Sequence, residues 1–131
     1  MNYGVKLVEA ETEEGAMFGY GFITARDRLW QIKFFRHLTQ GRLSELIGTE
    51  GLEIDRMIRT VGITRAAQAV LDNLDDREKL ALQMFSNGIN KAVESMKAYP
   101  IEFYILWTDF GEPWTPLDSI SISYFMCFTL S

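Results

Sequence analysis

The chain has 131 residues, 47% of them apolar and 13% aromatic, with a formal net charge of −5. That length suffices for one domain, or part of one, with a buried core. The acidic balance excludes the basic surface that nucleic-acid phosphates require. No Lys/Arg run suggests an anionic membrane, and no apolar stretch reaches the roughly 18 residues of a bilayer span. The start, "NYGVKLVEAETEE", lacks the basic and long apolar regions of a signal peptide, so none is expected in these residues. Cys127, the one cysteine, excludes an internal disulfide.

In chain order, "GVKLVEA" (4–10) predicts one short strand with no partner nearby, a strand that a sheet from elsewhere must receive. Helix is expected from Thr12 to Gln40, with Thr12 as N-cap and Glu13 and Glu14 at the positive end of the dipole. Gly15, Gly19 and Gly21 weaken its first half, which implies either a break or the close approach of another backbone. Gly41 can end it, and "RLSELIG" (42–48) reads as a short helical turn. Helical spacing continues through 51–74, with Gly62 dividing it. Asp75 and Glu78 then form a capping-box start for 75–99, whose apolar stripe is Leu80, Met84, Ile89, Val93 and Met96. Residues 103–116 read as an aromatic loop. "SISISY" (119–124) alternates like a strand, but Thr115-Pro116-Leu117-Asp118 offers an N-cap, a first-turn proline and an acid, which favours a final helix. The fold class is mainly α, a single region over 1–131.

One stretch sets a problem. "FITARDRLWQIKFF" (22–35) carries Arg26, Asp27 and Arg28 among large apolar side chains. The arginines can snorkel, but Asp27 is too short to do so and is expected to be buried and paired. Its partner is expected among Arg28, Arg59 and Arg65. Catalytic constellations are absent: His37, the one histidine, reads as a surface or half-buried residue, and Cys127 as a small core residue. The glycines of "GYGF" (19–22) lack the spacing of a dinucleotide loop. No metal site is expected from one histidine and one cysteine far apart.

The segment "GYGFITARDRLWQIKFFRHLTQGRLSELIG" (19–48) resembles the first conserved block of the penicillin acylase family of N-terminal nucleophile amide hydrolases. The resemblance continues through "DRMIRTVGITRAA" (55–67), "SNGINKAVE" (86–94), "EFYILW" (102–107) and "EPWTPLDSISISYFMCFTLS" (112–131), in family order. Arg26 stands where glutamine is usual, and "YGVKLVEA" replaces the family's Gly-Val-Pro-His-Ile-Tyr-Ala.

The resemblance implies that this is the N-terminal part of an α chain, cut autocatalytically from a precursor, periplasmic or secreted. The strand at 4–10 would join an αββα sandwich shared with a larger β chain. That β chain would begin with the Ser, Thr or Cys nucleophile, whose own α-amino group serves as base in hydrolysing a small-molecule acyl amide. No catalytic residue or cofactor is then expected within 1–131, and calcium only in the complete enzyme. The family's α chain lends the acyl pocket a methionine and, four residues on, an aromatic; the matching positions are Met126 and Leu130. The competing reading is a non-catalytic helical interaction module, a truncated or diverged α-like chain.

Overall fold

A computed structural model describes residues 12–130. The strand expected at 4–10 lies outside them. Among the described residues the chain is mainly helical and has no strand: α1 (Glu13–Thr39), α2 (Ser44–Ile47), α3 (Leu52–Val61), α4 (Ile63–Asp72), α5 (Asp76–Ser95), α6 (Ile101–Ile105) and α7 (Pro116–Leu130). No helix of these is long and apolar enough to cross a membrane.

The termini form where local chemistry places them. Thr12 Oγ1 accepts the N–H of Gly15 at 3.0 Å and starts α1. Asp75 and Glu78 close a complete capping box at α5, with Glu78 N–H to Asp75 at 2.8 Å and Asp75 N–H to Glu78 at 3.1 Å. Gly62 takes a left-handed φ of 80° and splits the 51–74 segment into α3 and α4, as expected. The strand-like 119–124 is helical, inside α7.

α1 and α5 cross at backbone distance. A Cβ on Gly21 would stand 2.0 Å from the carbonyl oxygen of Phe85, and one on Gly88 would stand 2.0 Å from that of Phe18. Of the two expectations for the α1 glycines, close approach therefore holds at Gly21. The break lies elsewhere, at Arg28, whose φ of −139° and ψ of 36° leave the helical region. Ala25, Leu29, Ile89, Ala92, Phe103, Phe110 and Trp114 fill the main core around this crossing. A second cluster, Leu38, Leu43, Ile58 and Ile63, joins the end of α1 to α3 and α4.

Two boundaries differ from the sequence reading. α5 ends at Ser95, four residues short of the expected 99, because Met96 turns extended (ψ 135°) and packs on the core. Residues 101–105, assigned partly to the aromatic loop, form the helical turn α6 instead. One turn of helix lets Phe103 face inward against Trp30 (ring centroids 5.4 Å apart) and Tyr99 (4.9 Å). Leu80, placed in the apolar stripe of α5, points to solvent. Ile89, Val93 and Met96 of that stripe do pack on the core, and the tightest contact with α1 runs beside them, through Phe85 and Gly88.

The crossing makes a direct prediction. Gly→Ala in a helix usually adds up to about 1 kcal/mol through propensity. At Gly88 the added methyl meets a carbonyl that cannot yield without shifting α1, so Gly88→Ala should instead lower stability by roughly 1–3 kcal/mol or more. Urea midpoints decide it, and an unchanged or raised midpoint contradicts the close approach.

Candidate functional site

The charges buried in α1 are not those the sequence singled out. Arg26, Asp27 and Arg28 lie on its exposed side, next to the bend. The burial expected for Asp27 is therefore not provided by the described residues. Arg59, an expected partner, is anchored near the C-terminal end of α1, where its Nε–H donates to the carbonyl of Gly41 at 3.0 Å. One to three turns further along α1, however, Lys33, Arg36 and His37 are all buried. The half-burial or exposure expected of His37 is corrected here: it is 6% exposed, because α1 turns this face under the loop 106–115 and α2.

Arg36 holds that loop. Nη1 donates to the carbonyl of Glu112 at 2.9 Å, and Nη2 donates to the carbonyl of Phe110. The guanidinium carbon lies 4.5 Å from the Phe110 ring centre and 5.1 Å from that of Trp114, the geometry of cation–π contact. Asp118 completes the set, its Oδ2 3.6 Å from Nη1. Burial pulls the Arg36 pKa down and Asp118 opposes that shift.

Asp118 has a second task. Its Oδ2 accepts the N–H of Thr115 at 3.0 Å, and so closes the first turn of α7 from the third helical position. Its Oδ1 accepts from Gln40 at 3.3 Å. Trp114 is fixed from α5 through a pair of bonds with Asn90 (2.6 and 3.0 Å), and its indole N–H reaches Ser119 at 2.9 Å. The start of α7 is thus tied to α1 and α5 through polar groups.

Asp55, which the sequence reading passed over, does similar work. From α3 it accepts the N–H groups of Leu43 (2.6 Å) and Ser44 (2.9 Å) at the start of α2. Burial pushes its carboxyl up, but the hydrogen bonds from Ser44 and Leu43 outweigh that and hold it below its usual range.

The other end of α7 is open. Met126 is 38% exposed, Phe128 52%, and Cys127 is exposed too, so the expectation of a core cysteine is corrected: the last turns of α7 run beyond the core that buries Ile120 and Ser121. Leu130 closes the helix one turn after Met126. Among the described residues no group of His, Cys, Asp and Glu could hold a metal ion.

The penicillin amidase family profile matches residues 2–131. The chain belongs to that family. It is 39% identical over 87 residues to acyl-homoserine lactone acylase QuiP of Pseudomonas aeruginosa, which covers 66% of this chain and 10% of that protein. To penicillin acylase 2 proenzyme of Pseudomonas sp. strain SE83 it is 31% identical over 120 residues, 92% of this chain and 15% of that one. The thermostable penicillin G acylase of Alcaligenes faecalis superimposes with a TM-score of 0.80 at 26% identity, over 100% of this chain and 73% of that chain. The chain thus spans only 10% to 15% of the length of these two curated relatives. The contacts of Arg36 and Asp118 fix the start of α7, the helix on which Met126 and Leu130 lie.

Two predictions follow from the buried stripe. Arg36→Met should cost roughly 3–5 kcal/mol by stranding Asp118, and Arg36→Lys should rescue little, since an ammonium cannot match the forked donors and ring stacking. Equal midpoints for wild type and Arg36→Lys in urea would contradict the role given to Arg36.

His37 gives a pH signature. Its Nδ1 lies 3.2 Å from the carbonyl of Lys33, which requires the proton on Nδ1. Burial, then the Lys33 cation, lower its pKa. The unfolded chain therefore takes up the proton first. The stability this gives is complete above about pH 6.5 and declines as pH falls below that value toward the folded pKa. In His37→Gln the midpoint should fall less between pH 7 and 5 than in wild type; parallel declines would show that His37 is not the group responsible.

Proposed function

We propose that this chain is the α-side portion of an amide hydrolase of the N-terminal nucleophile class. Its reaction would be cleavage of an acyl group from an amine, as in penicillin acylases and acyl-homoserine lactone acylases. The nucleophile, a Ser, Thr or Cys at the head of a separate β chain released by autoproteolysis, would come from outside these residues. The observation that carries the reading is the contrast along α7. Its first turn is fixed by Arg36, Asp118 and Trp114, while its last turns leave Met126 open to whatever completes the site. A helix held that way suits one wall of an acyl pocket, with Met126 as an adaptable contact and Leu130 one turn further along. The relatives' names, penicillin acylase and acyl-homoserine lactone acylase, support the reaction class.

In this reading Asp27, Arg28 and the exposed side of the α1 bend face the β chain, where Asp27 would acquire its burial. Calcium, if the complete enzyme holds it, would be bound outside these residues.

The experiment has two arms. The purified 131-residue chain should show no hydrolysis of a chromogenic acyl amide, and co-production with a β chain should restore it. In the two-chain protein, Met126→Ala should change kcat/KM ratios between acyl groups by roughly 10-fold or more, the scale of lost methylene contacts in an apolar pocket, and leave folding intact. Activity in the chain alone, or an acyl preference unmoved by Met126→Ala, would overturn the reading at the step concerned.

A further inference from the structure

Lys33 lies on α1 one turn before Arg36 and His37, and only 2% of it is exposed. Its cationic neighbours are satisfied. Arg36 has Asp118 and two carbonyls, and Arg42 has Glu45 through two bonds of 2.9 and 2.8 Å. The Lys33 side chain, by contrast, makes no hydrogen bond or ion pair among the described residues. It lines a cavity of about 410 Å³ between α1, the loop at 108–113 and the first turn of α7, whose other lining residues are mostly polar.

A buried ammonium is retained where something balances it; otherwise burial disfavours the charge and the fold is weakened. Burial and the Arg36 cation push the Lys33 pKa down, while Asp109 opposes them from beyond ion-pair distance. What the ammonium lacks is an acceptor in contact with it, and the cavity has room for one.

We propose that this cavity is a binding site for a single carboxylate group seated on the Lys33 ammonium. The rim defines the ligand's charge. Glu45, Asp109, Glu112 and Asp118 all line the cavity, and the carboxylates of Glu45 and Asp118 are already engaged with Arg42 and Arg36. Any anion reaching Lys33 gains a direct charge-assisted hydrogen bond and meets the rim carboxylates, but a dianion such as phosphate meets about twice the repulsion of a monoanion. The volume admits a carboxylate with a short substituent, either a small monocarboxylic acid or the tip of an Asp or Glu side chain from a docked chain. The carboxylate site itself does not rest on the amidase reading; only the arm of the test that uses the two-chain assembly does.

The test uses ε-¹³C-lysine-labelled protein, both as the 131-residue chain and in its two-chain assembly, with the Lys33 signal assigned by its loss in Lys33→Met, or in Lys33→Arg if that variant fails to fold. Sodium acetate is titrated against sodium chloride and sodium phosphate at matched ionic strength. A saturable movement of the Lys33 signal with acetate, much weaker with phosphate and absent with chloride, is the expected result. A response in both preparations identifies a small-molecule site; a response in the separate chain alone identifies an acidic side chain of the partner as the natural occupant. A Lys33 signal that acetate fails to move in either preparation, or that chloride and phosphate move equally, overturns the proposal.

Discussion

The guanidinium of Arg36 is the constraint around which the end of α1, the 106–115 loop and the start of α7 are arranged. Arginine cannot shed its proton in a protein interior, so a buried one must be surrounded by acceptors or by aromatic faces. Here it takes both. The carbonyls of Phe110 and Glu112 point to the same cation from either side of Gly111, whose left-handed φ of 84° gives the loop the turn needed to present them. The rings of Phe110 and Trp114 cover its face. Because Asp118 both neutralises Arg36 and caps α7, the direction in which α7 leaves the core is decided on α1.

That arrangement needs a support that does not give way, and the α1–α5 crossing supplies it. Backbones meeting at Gly21 and Gly88 leave no side chain between them to adopt another rotamer. Asn90, within one turn of Gly88 on α5, then places both its amide groups on the backbone of Trp114. The same helix that locks against α1 thereby positions the aromatic loop, and Arg36 secures that loop from the other side.

Much of this was legible in the sequence. Thr12, Asp75 with Glu78, Gly62, and the Thr115-Pro116-Leu117-Asp118 start all act through local chemistry, and each marks an element end where expected. The buried charges differ from those expected for a physical reason. Arg26, Asp27 and Arg28 are consecutive and therefore face different sides of a helix, whereas Lys33, Arg36, His37 and Gln40 fall at i, i+3, i+4 and i+7 on one face. That polar stripe was readable, but a polar stripe ordinarily faces water. Only the loop folding over it, a contact between residues some 74 positions apart, reverses the expectation. Asp55 escaped for the same reason, since its hydrogen bonds reach back to Leu43 and Ser44 across a turn whose path no local signal specifies. The early end of α5 likewise depends on where Met96 finds the core.

The last turns of α7 pose a packing problem of their own. Tyr124 and Phe128 lie four residues apart and share one side of the helix, while Met126, between them in sequence, projects to the opposite side. Phe125 turns inward onto the cluster of Leu38, Leu43, Ile58 and Ile63. A helix that is apolar on nearly every side is normally a buried one, yet α4 and the core cover only part of this one. Next to Tyr124 runs an apolar groove lined by Val70, Leu74, Leu82 and Ile120, whereas Met126 faces away from it. No single flat surface can cover both sides at once. A partner surface burying both sides of the end of α7 would therefore have to wrap around it, with the residues touching Met126 and those touching Tyr124 and Phe128 on different parts of the cover.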